Sequence, residues 1–237
     1  MSSLLIKCRL ASSLVGEAPT LDGLLEYQLS LYGAPGTVRS QGGKMDRSFP
    51  APPQGDIAIP IQRKCVTGAD GRRWEVAACS APVLPSPDFD GVEHVAKRIG
   101  VERAGLLAER ERKVVVTRNG WTKSYRLPVR IRWFPEVRWF AVGDRKSVLH
   151  ILKRCTAIGK KISYGYGRVA SWEIETLGPD ADSPCWFAPT DAGPVLMRAL
   201  PVGDYLPAGL LGARRDFGAA VPPYWHPDRY TEIVTPC

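Results

Sequence analysis

The chain has 237 residues, 44% of them hydrophobic, and a formal net charge of +8. That length fits one large domain or two small ones, and that apolar share excludes wholesale disorder. The charge is uneven: Lys97 to Arg168 holds 19 basic and 5 acidic residues, a net of +14, and the remainder is net −6, so the middle third attracts polyanions.

The six cysteines form no C-x-x-C pair, and His94, His150 and His226 are scattered. Zinc sites want ligands paired close in sequence, so no metal and no cofactor is expected. The N-terminal MSSLLIKCRLASSLV is broken by Lys7 and Arg9 and reads as a strand, not a signal peptide. No run reaches the roughly 18 apolar residues of a membrane span. The expectation is a soluble, cytoplasmic protein without a membrane partner.

In chain order, residues 4 to 14 alternate as a first strand. Thr20 is placed to cap a helix over Leu21 to Tyr32, with Leu21, Leu24, Leu25, Leu29 and Tyr32 on one face. Asp22 falls in its first turn, where the helix dipole favours an anion. Residues 33 to 56 are a Gly/Pro-rich loop. DIAIPIQRKCV and RRWEVAACSAPVL read as two strands joined around Gly68 to Gly71, and residues 82 to 93 as another Pro/Asp loop.

KVVVTRNGWTKSYRL, residues 113 to 127, holds Asn119-Gly120 between two β-rich runs, the signature of a type I′ hairpin. Its tip and flanks carry Arg118, Trp121, Lys123, Tyr125 and Arg126. Such a finger suits a nucleic-acid backbone; it also suits an edge hairpin protected by charge. PVRIRWF alternates Val129, Ile131 and Trp133 inward with Arg130 and Arg132 outward, and VRWFAVGD follows as its expected partner. An amphipathic helix from Asp144 to about Ile158 buries Val148, Ile151, Leu152, Cys155 and Ile158, with Gly159 as its C′ stop. RVASWEIETL is a further strand, and the Pro- and aromatic-rich tail from 178 wraps the core or forms a small irregular element.

The fold class this order gives is α+β: a ferredoxin-like (RRM-like) β-α-β-β-α-β domain over residues 1–177, with an inserted β-hairpin at about 113–127 and an irregular C-terminal extension over 178–237.

GKKISYGYGRV, residues 159 to 169, is the densest local signal. A dinucleotide site needs strand, glycines, then helix. Here the order is helix, glycines, strand, and no phosphate-binding G-x-x-x-x-G-K-[ST] motif is present. Two readings remain. In one, Gly165 and Gly167 merely make a tight turn. In the other, glycines let backbone N–H groups approach phosphate, Lys160, Lys161 and Arg168 neutralise it, and Tyr164 or Tyr166 stacks a base beside Ser163.

This loop and its preceding helix resemble the RAMP superfamily of CRISPR proteins, which have ferredoxin-like domains and a glycine-rich loop before the last core strand. LDGLLEYQLS, GKKISYGYGRVASWEIE, PVLMRALP and PPYWHPDR look more narrowly like the Cas-five-like small subunit of type IV effector complexes, the Csf-three family. The resemblance implies a non-catalytic role in antiviral defence. Such a subunit grips the 5′ handle of the CRISPR RNA (crRNA) and caps a filament of backbone (Cas-seven-like) subunits next to the large subunit. It meets target nucleic acid only indirectly. By the same resemblance, Lys160, Lys161 and Ser163 to Arg168 would lie at the RNA or subunit face, and the 113–127 hairpin would be a thumb that kinks or separates guide from handle.

Two rivals stand beside it. Relatives in the superfamily cut repeat RNA, which takes a general acid or base; none of the three histidines has a partner adjacent in sequence. The basic block could instead meet an acidic protein.

Overall fold

The computed structural model describes residues 1–33, 57–98, 100, 102, 118, 123–178 and 184–236. The expected hairpin tip, Asn119 to Trp121, and most of the loop at 33–56 lie outside them.

Strand β1 (Ser2–Leu10) is the middle strand of a three-stranded sheet. It pairs antiparallel with β7 (Glu136–Gly143) on one side and β8 (Val169–Thr176) on the other. Alternation sends Leu4, Ile6, Cys8 and Leu10 to one face. Ile6 lies opposite both Trp139 and Ile174. That face packs against Leu21, Leu24 and Leu25 of helix α1 (Leu21–Gly33) and Val148, Ile151 and Leu152 of helix α2 (Arg145–Leu152). The opposite face carries ion pairs, Lys7–Glu175 at 2.5 Å and Arg9–Glu173 at 3.4 Å.

Beyond β7 there is no regular fourth strand among the described residues. Isolated bridges join Ile61, Cys79 and Val83 to Gly143, Ala141 and Arg138. Pro60, Pro82 and Pro85 cannot donate to a ladder, which keeps this segment irregular. The fold is thus α+β, with mainly antiparallel sheets and two helices among the described residues.

A separate ribbon is formed by β5 (Phe89–Lys97) and β6 (Tyr125–Trp133), with the short β2 (Leu14–Val15) on the far side of β6. This corrects two expectations. Residues 89–93 are strand, not loop, and β6 does not pair with β7. Both edges of β7 are already taken, and buried Phe134 with Pro135 turns the chain from one sheet to the other.

Hairpin β3 (Arg63–Thr67) and β4 (Arg73–Ala77) contributes Val66, Trp74 and Val76 to a second core. The other members are Leu196, Leu200, Val221 and Val234. They come from β10 (Val195–Leu196), β11 (Leu200–Pro201), the turn after β12 (Ala213–Ala219) and β13 (Tyr230–Pro236), with Phe187 of β9 (Phe187–Ala188) and Ala213 of β12 packed against them.

Between the two cores lies Arg198, 2% exposed. Its guanidinium donates to the carbonyls of Ala77, Cys79 and Ala220, to the Asp22 carboxylate at 2.9 Å and to the Tyr224 hydroxyl at 3.1 Å. The Tyr224 hydroxyl in turn donates to Asp22. Burial by itself would raise the Asp22 carboxyl, but the Arg198 charge and its hydrogen bonds hold it below the ordinary carboxylate range. Asp22 stands in the first turn of α1 as expected, and it is also a buried ion-pair partner.

Candidate nucleic-acid interface

Asp144 caps α2, its carboxylate accepting from the Ser147 N–H at 2.8 Å. The helix ends at Leu152, shorter than its apolar stripe suggests, because Cys155 and Ile158 are buried from the turns that follow. Gly159 is therefore not the helix stop. It sits at φ +84° in the next turn, against Leu14.

The glycine loop is closed at its neck by the Ile158 N–H to Gly167 carbonyl bond, 2.8 Å, and by the Ala157–Arg168 bridge. It is laced to residues 12–15. Gly167 donates to the Ser13 carbonyl, Lys160 to the Val15 carbonyl, and the Arg168 N–H to the Ser12 hydroxyl. Inside it, Ile162–Tyr164 make one 3-10 turn, preceded by Lys161 at φ 59°. The N–H groups of Lys160, Tyr164, Gly165, Gly167 and Arg168 are thus spent within the protein. The glycines serve the turn, and the loop's exposed cations are the side chains of Lys160, Lys161 and Arg168.

The loop faces one side of the ribbon. Cross-strand partners share a face, so Glu93, Val95 and Lys97 of β5 stand with Val129, Leu127 and Tyr125 of β6. The Tyr166 hydroxyl donates to Glu93 at 2.6 Å, and the Tyr125 and Tyr164 hydroxyls are 3.2 Å apart. Each hydrogen bond raises its tyrosine's pKa, so both loop phenols stay neutral at physiological pH.

The ribbon divides the expected site in two. Lys160, Lys161, Ser163, Tyr164, Gly165, Tyr166, Gly167 and Arg168 belong to the loop, and Tyr125 meets it. Arg126, Arg130 and Arg132 alternate onto the opposite face. There Arg130 is held by Asp90 through two bonds of 2.8 and 2.5 Å. Arg132 donates to the Gly16 carbonyl and lies over the Phe134 ring. Arg118 and Lys123 are exposed, and Trp121 lies outside the described residues.

Glu93 and Lys97 complete the loop side; Lys97 is legible in the sequence only as part of the basic block, and Glu93 falls in a stretch that reads as loop. FDGVEHVAK is exposed on both faces along most of its length, so it lacks the alternation that marks a strand.

His94 points to the arginine side of the ribbon, His150 contacts Arg154 at 3.0 Å, and His226 accepts from the Asp228 N–H. Among the described residues no three His, Cys, Asp or Glu side chains form a metal-binding group, and no helix is long and apolar enough to cross a membrane.

No curated protein matches the chain. Residues 85–236 match the family described as CRISPR type IV associated protein Csf3. That stretch begins just before β5 and takes in the ribbon, the glycine loop and every C-terminal strand. It covers well over half of the sequence, and the chain belongs to the type IV CRISPR-associated Csf3 family.

Proposed function

We propose that this protein is a non-catalytic, RNA-binding subunit of a type IV CRISPR ribonucleoprotein, and that it grips the 5′ handle of the crRNA between glycine loop and ribbon. In this reading the β7-β1-β8 sheet with its two helices is a ferredoxin-like RAMP core, and the ribbon is the base of its thumb. The subunit caps the filament of Cas-seven-like backbone subunits beside the large subunit, and meets the target strand only through them.

One observation carries the reading. The Tyr125–Tyr164 contact joins segments 39 residues apart. It brings two phenols together, with Lys97 opposite Tyr125 in the ladder and the Lys161 ammonium 5.8 Å from the Tyr164 ring centroid. Cations for phosphate beside ring faces for bases are what single-stranded RNA requires.

The test is an anisotropy titration of the full-length protein with labelled single-stranded repeat RNA between about 50 and 200 mM salt. Affinity should fall steeply with salt. Lys160→Ala with Lys161→Ala should weaken binding and flatten the log–log slope by about 1.4, two cations' worth on a single strand. The RNA should remain intact. Absence of RNA affinity at low salt overturns the reading; site-specific cleavage that disappears in His150→Ala overturns its non-catalytic part.

A further inference from the structure

Tyr164 and Tyr166 look interchangeable in the sequence, but the fold gives them different places. Tyr166 is half-buried, and its hydroxyl is committed to Glu93. It is a strut that fixes the distance between loop and ribbon. Tyr164 is 48% exposed, and its hydroxyl meets only the Tyr125 phenol at 3.2 Å among the described residues. Ile162, two residues before it, is 50% exposed. Leu127, on the same β6 face as Tyr125, is 44% exposed. The Lys161 ammonium lies over one face of the Tyr164 ring, 5.8 Å from its centroid, and Lys97 is opposite Tyr125.

A large apolar and aromatic surface left in water contributes little to the fold. Its lysine rim also discourages an apolar protein segment, since covering the plate would bury those charges. A nucleotide suits both parts. Its base has a flat π-face for the plate, and its phosphates answer the lysines. In a continuous duplex the base faces are stacked on one another and not presented.

Resting on the RNA-binding reading above, we propose that Tyr164, flanked by Tyr125 and Leu127, is a seat for one unpaired nucleobase. The site therefore takes a single-stranded segment with one nucleotide turned out, and Tyr166–Glu93 sets the width of the seat. Tyr164 supplies the stacking face; Tyr166 is a positioning residue.

The test uses the full-length protein and a 12-nucleotide oligouridylate carrying one 2-aminopurine at successive positions. Uridines stack weakly on one another, so the probe's emission reports its contact with the protein. In the native protein, emission should change on binding, most strongly at one position. Tyr164→Ala should abolish that change and weaken binding about 10-fold, within the range of one lost base–aromatic stack. Tyr164→Phe should retain both. Tyr166→Phe should broaden the response over neighbouring positions. Lys160→Ala with Lys161→Ala should lower affinity yet leave the change at saturation intact. A probe paired in a hairpin should show no change. If the oligomer binds but the emission is unaffected, or if Tyr164→Ala keeps the full response, the seat is overturned while the RNA-binding reading stands. If no RNA binds at low salt, that reading falls first.

Discussion

Gly167 has no room for a side chain. It sits at φ +63°, and a Cβ built there would lie 1.8 Å from the Ile158 carbonyl oxygen, the neighbour that closes the neck of the loop. Left-handed backbone costs an L-residue about 1–2 kcal/mol before any clash. Gly167→Ala should therefore destabilise the protein by about 2 kcal/mol or more in a denaturant titration, and lower RNA affinity by opening the loop. The sequence distinguished this glycine poorly from Gly165, where no such obstruction exists. The contact that matters belongs to the bent chain, not to the spacing. The unequal tyrosines were hidden for a similar reason: Tyr166 is defined by Glu93, 73 residues earlier, in a stretch that reads as loop.

At the scale of elements, strong periodicity was legible. α1 and β8 lie where the 3.6-residue repeat and alternation put them, while the first strand, expected over 4 to 14, ends at Leu10 and Leu14–Val15 joins the ribbon instead. The start of α2 was equally plain, since Asp144 is a cap by residue type and by geometry. Asp144→Ala should lower the melting temperature by about 2–4 °C, the ordinary effect of losing one cap in a chain of this size, while Asp144→Asn should stay near the native value. The end of α2 was not legible, because a buried stripe continues through non-helical turns. Nor was strand pairing: β6 finds β5 and β2 instead of its sequence neighbour β7, a choice made by which edges remain open.

For the whole molecule, the decisive tie is Asp22–Arg198–Tyr224. Asp22 has its carboxyl held below the usual range in the folded state. A depressed carboxyl contributes stability that is complete above the unfolded value, about 3.9, and lost as pH falls through the folded one. Thermal stability should therefore carry an acid-side loss that Asp22→Asn removes. That variant should also be less stable at pH 7 by about 3–5 kcal/mol, because Arg198 is left charged and buried. Arg198→Met with Asp22→Leu should recover much of that loss. An unchanged acid profile in Asp22→Asn would refute the assignment. The concentration of charge in the middle third was visible in the sequence, but its division between two faces of a ribbon needed the register.

The central position of β1 has a temporal consequence. It is made long before its two neighbours, which start at Glu136 and Val169, and Asp22 waits for an arginine 176 residues downstream. On the ribosome, the opening strand and helix emerge without the segments that bury them. The first core waits for Ile174 of β8 and the second for Val234 of β13, and such long-separation pairing is slow. A nascent chain of this design depends on whatever shields its first 30 residues in the meantime.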